Sequence, residues 1–379
     1  MTSSDTASSD TTAMSVDELA AHQRHTKEAP TSQTSKGLDG VSWRYAARRA
    51  LHGFVRHRGL DSAASLTFFA TLALFPASLV VVSSFAIAEN RTTASETILA
   101  ILSDFARGST VDAIKAPLEQ LLSIPIPGLA LAIGLVLSVW SVSSYATGFG
   151  RAVNSVYEVQ EGRQFWKFRG LMIVLALVLI VGFAGVTAIL LGTPAIAEAF
   201  ASTLRIDPIW LPVWNIGKWP VLLIIAVTTV GLLYYYTPNV RHLRLRWVSW
   251  GAAFAIVAWA IATVGFALYV VTFQTYNHVY GWLGGAVIVL IWLYITNLVL
   301  VLGAELDAEV VRLRQLTAGV EAEVVIQLPI RDSRRNLMLA RQRAADEADG
   351  RAIRIRAAEK IAAHKLAAEN NAKPTKSRR

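Results

Sequence analysis

Two clusters of neutral polar side chains interrupt long apolar stretches of this sequence. The first closes an apolar run and consists of Ser141, Ser143, Ser144, Tyr145 and Thr147. The second lies between two apolar runs and reads Phe-Gln-Thr-Tyr-Asn-His-Val-Tyr-Gly over residues 273–281. Hydroxyl and amide groups can bind a small polar solute through hydrogen bonds, so both clusters are candidate parts of a solute pathway. The alternative is that the serines bond to carbonyls of their own helix and that the tyrosines lie at the lipid headgroups.

The residues that most enzymes need are missing from the apolar runs. The chain has no Cys, which excludes disulfides, thiolate zinc sites and cysteine nucleophiles. It contains neither the HExxH motif of zinc proteases nor the GxSxG motif of hydrolases. No His or Asp lies in the core of an apolar run, so intramembrane proteolysis of the serine or aspartyl type is unsupported. We therefore expect no enzymatic activity, no cofactor and no bound metal.

Three acidic residues follow the last apolar run at alternate positions: Glu305, Asp307 and Glu309. Glu305 is predicted to end a helix, where a carboxylate is unfavourable for the helix dipole. A basic partner such as Arg312, or a basic loop, is therefore expected. A locally paired, solvated helix end and a role in gating or ion sensing are both open at this point.

The elements that carry these residues are long runs without charge. A helix needs about 20 apolar residues to cross the hydrocarbon core, and only 17% of this chain is charged, against about a quarter in soluble domains. The last uncharged run, residues 247–304, is long enough for two helices joined near residues 275–278. The sequence therefore predicts an all-α polytopic membrane protein. Its domain of residues 61–309 is a bundle of six transmembrane helices, at about 62–88, 128–149, 170–192, 219–237, 248–272 and 279–304.

The charges of the connections predict the orientation of the bundle. Basic residues are concentrated before the first span and in the second and fourth connections, whereas the first, third and fifth connections carry no basic excess. Because Lys and Arg favour the cytoplasmic side, we expect both termini in the cytoplasm and the six spans in the cell (inner) membrane. The same rule accounts for the formal net charge of +9 without a nucleic-acid partner.

The segments outside the spans differ in composition. Residues 1–40 are rich in Ser, Thr and Asp and are predicted to be disordered. Residues 41–60 predict a basic amphipathic helix that lies in the membrane interface or packs on the bundle as a cap. The connection after the first span predicts two short helices that divide near Gly108. Residues 310–379 predict a basic tail, partly helical or disordered with a break at Gly350, that we expect beside anionic lipid headgroups.

The predicted fifth span is rich in small residues. Its pairs Gly251/Ala255 and Ala258/Ala262 each lie one helical turn apart. Small residues at this spacing let a neighbouring helix approach closely in a membrane. We expect tight helix packing along this face.

Four stretches of the chain, taken together, resemble a known family. They are residues 63–76, which end in Leu-Phe-Pro; residues 154–167, which begin Asn-Ser-Val-Tyr; residues 234–239, Tyr-Tyr-Tyr-Thr-Pro-Asn; and residues 276–309, which begin Tyr-Asn-His-Val-Tyr-Gly and end Gly-Ala-Glu-Leu-Asp-Ala-Glu. Over about residues 43–309 the chain is similar to the YihY/virulence factor BrkB family of bacterial inner-membrane proteins. Some members carry the label ribonuclease BN, which does not fit these residues because a metal-dependent nuclease needs a cluster rich in His and Asp.

The leading functional hypothesis is transport or export of a small solute through the bundle. The alternative is a non-transporting membrane scaffold or envelope-assembly factor, and a ribonuclease is the least favoured reading. The sequence names neither the solute nor the oligomeric state. The candidate residues of the polar pathway and the family motifs are Ser144, Tyr145, Asn154, Tyr157, Pro238, Asn239, Tyr276, Asn277, Tyr280, Gly281, Gly284 and Glu305.

Overall fold

A computed structural model describes residues 40–88, 91–105, 108–191, 210–241, 249–272 and 282–372. The predicted disordered segment lies outside these residues, apart from its last position. Within them the chain is helical between short connections, and one antiparallel bridge joins Val240 to Ile330. The helices are α1 (Gly40–Arg56), α2 (Gly59–Ala88), α3 (Arg91–Phe105), α4 (Gly108–Leu122), α5 (Pro127–Val156), α6 (Phe165–Leu191), α7 (Trp210–Tyr236), α8 (Trp250–Thr272), α9 (Trp282–Thr317) and α10 (Arg334–Ala372).

Six of these helices, α2 and α5 to α9, are long and apolar enough to cross a membrane. No more than 28% of the apolar stretch of any of them is buried within the protein. The exposed remainder includes large side chains such as Val136, Trp140, Val181, Phe183 and Ile261. An apolar surface of this extent is unfavourable in water, so lipid is its natural surrounding. The predicted fold class, an all-α bundle of six spans, is confirmed.

Helix α9 continues well past the point at which the sequence predicts its end. It passes through Glu305 and runs about three further turns, to Thr317. It stops where Gly319 adopts the left-handed conformation, with φ of 78°, and the Val320 N–H donates to the Gln315 carbonyl at 2.9 Å. A glycine at this position is a common helix stop. The prediction that Glu305 ends a helix is wrong, and the helix-dipole argument for it falls with it.

Other helices also differ from the predictions at single residues. Helix α10 passes through Gly350 without interruption, so the predicted break is wrong. Helix α7 begins at Trp210, ahead of the predicted start of its span at about residue 219. Pro220, which would lie at the start of the predicted span, is therefore well inside the helix. The two short helices predicted after the first span are present as α3 and α4, and they divide before Gly108.

Small residues bring α8 and α9 into close contact. A Cβ atom at Gly251 would overlap the carbonyl oxygen of Gly303, and one at Gly303 would lie 2.7 Å from the Cβ atom of Ala255. The predicted close packing at Gly251 and Ala255 is confirmed. Helix α2 packs along α5 and also against α9, so α9 is bordered by α2 on one side and α8 on the other.

One end of the bundle gathers the starts of α2, α6 and α8 and the ends of α5, α7 and α9. Helix α1 packs there against α9 and α2 and buries Ala46, Ala50 and Phe54. Residues 318–333, called the strap below, cross the same end, where Arg241 N–H donates to the Pro329 carbonyl at 2.8 Å. We call this the α1 end. Every charged residue that the structure shows as buried lies here: Arg163, Glu305, Asp307, Glu309 and Arg312.

Candidate functional site

Glu305 and His57 form a buried pair at the α1 end. Glu305 lies on α9, and its side chain is 1% exposed. His57 lies in the turn between α1 and α2, and its Nδ1 atom is 2.8 Å from Oε1 of Glu305. Gly53 of α1 allows this approach, because a Cβ atom there would lie 2.8 Å from Oε2 of Glu305. The pair therefore joins the turn before α2 directly to α9.

A second carboxylate faces the other nitrogen of the imidazole. Nε2 of His57 lies 3.5 Å from Oε1 of Glu158, which also accepts a hydrogen bond from Arg56 at 3.2 Å. Glu158 follows α5 in a turn and has φ of 55°, in the left-handed region that side chains seldom adopt. The hydrogen bond to Glu305 is the main reason that the pKa of His57 is raised above its ordinary value of 6.5. Protonated His57 would thus be held between two carboxylates.

Glu309 lies one turn further along α9 and is neutralised by two arginines. Arg49 of α1 approaches its Oε2 atom at 3.0 Å, and Arg312 of α9 approaches the same atom at 3.2 Å. Arg312 is 1% exposed and also donates to the strap carbonyls of Ala322 and Val324, at 2.7 and 3.2 Å. The basic residue expected beside Glu305 is therefore His57, while Arg312 serves Glu309.

Asp307 points to a different side of α9 and has neutral partners among the described residues. The Tyr157 hydroxyl donates to its Oδ2 atom at 3.3 Å, and the Gly251 N–H donates to Oδ1 at 3.4 Å. Burial is the main reason that the pKa of Tyr157 is raised well above its ordinary value of 10.0, and the charge of Asp307 adds to this shift. Asp307 thus links the ends of α5 and α8 to α9.

A row of polar side chains leads from this end into the interior of the bundle. Asn297 of α9 is 2% exposed and accepts a hydrogen bond from the Tyr145 hydroxyl of α5 at 2.8 Å. Its amide donates to the carbonyl of Leu293 at 2.9 Å and to the hydroxyl of Thr67 in α2 at 3.3 Å. Closer to the α1 end, the Tyr234 hydroxyl of α7 donates to the carbonyl of Leu300. We call Thr67, Ser138, Tyr145, Tyr234 and Asn297 the polar seam.

Two serines of α5 are buried without a hydrogen-bond partner in the described part of the chain. They are Ser138 and Ser143, and their exposed fractions are 4% and 0%. Ser138 lies about two helical turns before Tyr145 and shares its face of α5, whereas Ser143 lies on the opposite face. Ser144 instead donates to the carbonyl of Trp140 in its own helix at 2.9 Å, so the back-bonding alternative describes Ser144.

Asn154 and Asn239 belong to a separate hydrogen-bonded network that fixes loops at the α1 end. The side-chain oxygen of Asn154 accepts from the Asn239 N–H at 2.7 Å, and its amide donates to Glu161 at 3.0 Å. The amide of Asn239 donates to the carbonyls of Gln160 and Asp332, at 3.0 and 2.8 Å. All of these bonds are internal, so the network positions the ends of α5 and α7 and the strap.

The other predicted site residues take several positions. Pro238 is fully buried beside Asn239 in the same network. Gly284 is buried in the first turn of α9. The remaining candidates belong to the second polar cluster, residues 273–281, and lie outside the described residues: Tyr276, Asn277, Tyr280 and Gly281.

Sequence reasoning missed the residues that connect the site. Asn297 is the one amide side chain of the predicted span 279–304, and such a residue in a span is a functional-site signal by itself. His57 gave a weaker signal, because it follows the basic face of α1 and its partner is distant in sequence. In the described part of the chain, no three His, Cys, Asp or Glu side chains are grouped so as to hold a metal ion.

The fold and the site define a class: a polytopic membrane protein whose bundle encloses a polar seam that ends at buried charged groups. The model of the family Virulence factor BrkB matches residues 50–323, and the chain belongs to this family. The match contains the seam, the paired His57 and Glu305, and the first part of the strap. Helix α10 lies beyond it.

Curated relatives agree with the family and differ in name. YfkH of Bacillus subtilis (strain 168), named as ribonuclease-like, is 29% identical over 257 residues, or 67% of this chain and 91% of the relative. A UPF0761 membrane protein of Laribacter hongkongensis (strain HLHK9) is 29% identical over 74% of this chain and 62% of the relative. The UPF0761 membrane protein RSc1559 of Ralstonia nicotianae is 31% identical over 72% of this chain and 61% of the relative, so the chain spans less than two thirds of the length of these two. No solved structure matches.

Proposed function

We propose that this protein moves a small polar solute through its six-helix bundle. The observation that carries the proposal is the polar seam, which runs between α2, α5 and α9 inside the spans and leads to His57 and Glu305. Polar side chains within a membrane are unfavourable unless they are bonded, and they commonly mark a substrate or ion pathway. Ser138 is the telling member, because its buried hydroxyl has no bonding partner in the described residues.

Helix association is the structural explanation that competes with transport. Interhelical hydrogen bonds stabilise membrane bundles, and the two bonds that join Asn297 to Tyr145 and Thr67 serve that purpose by themselves. That explanation does not extend to Ser138, which contributes no interhelical bond in the described residues. A passing polar solute would supply the partner that this hydroxyl lacks.

We further propose that the α1 end faces the cytoplasm of a bacterial cell, with the spans in the cell (inner) membrane. The support is the basic excess before α2 and in the connections after α5 and α7, all at this end. Helix α10, which is exposed along most of its length and is rich in Arg and Lys, then lies on the side of the anionic headgroups.

We propose no enzymatic activity. The ribonuclease-like name belongs to YfkH, and the carboxylates of the α1 end are each held by groups of the protein itself. A nuclease would cleave RNA after purification away from soluble nucleases, and this cleavage would be lost in a Glu305→Gln variant.

Uptake into proteoliposomes tests the transport proposal. Purified protein is reconstituted, and uptake of radiolabelled glycerol, ethanolamine, glycine and lactate is measured against empty vesicles. We expect uptake of at least one of them, reduced in Ser138→Ala and unchanged in Ser144→Ala, whose hydroxyl is bonded within its own helix. Both variants delete one serine hydroxyl of α5, so they differ in where that hydroxyl lies and in whether it is bonded.

The scaffold alternative predicts the opposite results. Folded protein that takes up none of these solutes would overturn the transport proposal. So would wild-type uptake that Ser138→Ala leaves unchanged. A scaffold would keep its function with alanine at both serines and would retain partner proteins through purification.

A further inference from the structure

The paired His57 and Glu305 occupy a position that transport of a neutral solute alone does not require. Glu305 is enclosed by α1 and is 1% exposed, while the side chain of His57 is 11% exposed and is the part of the pair that water can reach. An ionisable pair at such a site can take up and release a proton without a change in its packing partners. The charged groups around the pair determine which atom binds that proton.

The geometry locates the exchangeable proton at Nε2 of His57. Nδ1 faces Glu305 at 2.8 Å. An ionised Glu305 can only accept a hydrogen bond, so beside it the ring carries its hydrogen on Nδ1 and leaves Nε2 to bind the second proton. A proton from water that binds Nε2 converts the neutral imidazole into an imidazolium, balanced by Glu305 on one side and Glu158 at 3.5 Å on the other. Release of that proton returns the neutral ring, and Arg56 continues to bind Glu158 at 3.2 Å.

The other charged groups of this end do not compete for that proton. Glu309 lies one turn along α9 from Glu305 and is neutralised by Arg49 and Arg312. Asp307 faces the ends of α5 and α8 instead, through Tyr157 and Gly251. Binding of the proton therefore changes the net charge at the place where three elements meet. These are the α1–α2 turn, the turn that follows α5, and helix α9.

The pair adjoins two of the helices that form the seam. Asn297 precedes Glu305 by eight residues on α9, a rise of about 12 Å, and Thr67 lies in α2, the helix that begins directly after the turn of His57. The amide of Asn297 donates to the hydroxyl of Thr67 at 3.3 Å. A change in the attraction between His57 and Glu305 thus acts on the two helices that meet at Asn297.

We propose that His57 and Glu305 form a proton-binding site that couples solute movement in the seam to the proton gradient across the membrane. This inference rests on the proposed transport function and adds the source of its energy. The ligand of the site is the proton itself, and its carrier is the Nε2 atom of His57.

Proton movement driven by the solute tests the coupling. Proteoliposomes are loaded with the pH dye pyranine, and whichever solute of the uptake panel the wild type carries is added at equal pH on both sides. We expect the lumenal pH to change with the wild type and with His52→Gln, which replaces an exposed His of α1. Loss of this pH change is expected with His57→Gln and with Glu305→Gln, while exchange of labelled for unlabelled solute persists.

Each result bears on one of the two proposals. If the wild type carries a solute and the lumenal pH stays constant, or if both variants keep the pH change, the coupling is overturned and transport stands. If the wild type carries no solute, the transport proposal is overturned and the coupling with it.

A titration supplies a second readout that does not depend on transport. In detergent, the imidazole ¹⁵N resonance of His57 is expected to titrate above the ordinary histidine pKa of 6.5, and its pKa is expected to fall in Glu305→Gln. Equal titration of His57 in the wild type and in that variant would refute the role of Glu305. His57→Gln serves the flux assay if Glu305→Gln does not yield folded protein, because its side chain lies nearer to water.

Discussion

Replacing Arg312 by Met should be one of the most destabilising changes at the α1 end. The guanidinium is 1% exposed and lies 3.2 Å from Glu309. It also donates to strap carbonyls, at 2.7 Å for Ala322 and 3.2 Å for Val324. Methionine keeps much of the side-chain volume but removes the charge and every donor.

The magnitude follows from what the variant leaves behind. Glu309 stays buried and keeps Arg49, at 3.0 Å, as a cationic partner. The Ala322 carbonyl loses the 2.7 Å hydrogen bond that Arg312 donates to it. Removal of one partner of a buried ion pair costs about 3–5 kcal/mol, and a buried carbonyl left unbonded costs about 1–3 kcal/mol. Because Arg49 keeps part of the pairing, we expect a loss of about 3–5 kcal/mol in the free energy of unfolding.

Tryptophan fluorescence during denaturant unfolding in detergent measures this loss, and Arg351→Met, at an exposed position of α10, is the matched control. Arg312→Lys should recover part of the loss, since an ammonium restores the charge but not the planar fork. In a double-mutant cycle with Glu309→Gln, the two changes should couple by about 1–3 kcal/mol. A loss in Arg312→Met equal to that of the control would refute the assignment of Arg312 as the link between α9 and the strap. Additive changes in the cycle would refute its pairing with Glu309.

Three further changes test other parts of the bundle. Asn297→Leu removes two interhelical hydrogen bonds and should lower the free energy of unfolding by about 1 kcal/mol in the same assay; unchanged stability would show that these bonds contribute nothing. Gly251→Val places a side chain on the carbonyl of α9 and should abolish the monodisperse peak in size-exclusion chromatography, whereas Gly265→Val, with no protein atom within 4 Å of its Cβ position, should keep it; equal profiles would count against the α8–α9 contact. Since Glu305 raises the pKa of His57 above 6.5, the stability that this pair contributes is full below pH 6.5 and is lost as the pH rises through the raised pKa. Above pH 6.5 the thermal midpoint of the wild type should therefore fall more steeply with pH than that of His57→Gln. Parallel curves for the two proteins would contradict this.

Hydropathy was sufficient to predict the six spans but not where each helix stops. The charge at Glu305 ends the apolar run, yet the backbone stays helical beyond it. The helix ends before Gly319, whose left-handed conformation terminates it and which a hydropathy pattern does not take into account. The same reasoning explains Gly350, where the cost of a glycine in a helix, about 1 kcal/mol, is too small to break α10.

The site was less predictable because its bonds join residues far apart in sequence. His57 and Glu305 are 248 positions apart, and Tyr145 and Asn297 are 152 apart. No local pattern distinguishes Ser138, which is buried without a partner in the described residues, from Ser144, which bonds to its own helix. The direction of a hydroxyl on α5 depends on which neighbours pack against it, and that is tertiary information.

The strap sets an order of events during synthesis of this protein. Arg331 donates to the carbonyls of Val240 and Tyr235, so the last carbonyls of α7 depend on a residue that follows Val240 by 91 positions. A ribosome must therefore deliver α8 and α9 into the bilayer before the end of α7 gains its final partners. Chains halted ahead of Arg331 would contain all six spans and still lack the bonds from Arg331 to the carbonyls of Val240 and Tyr235.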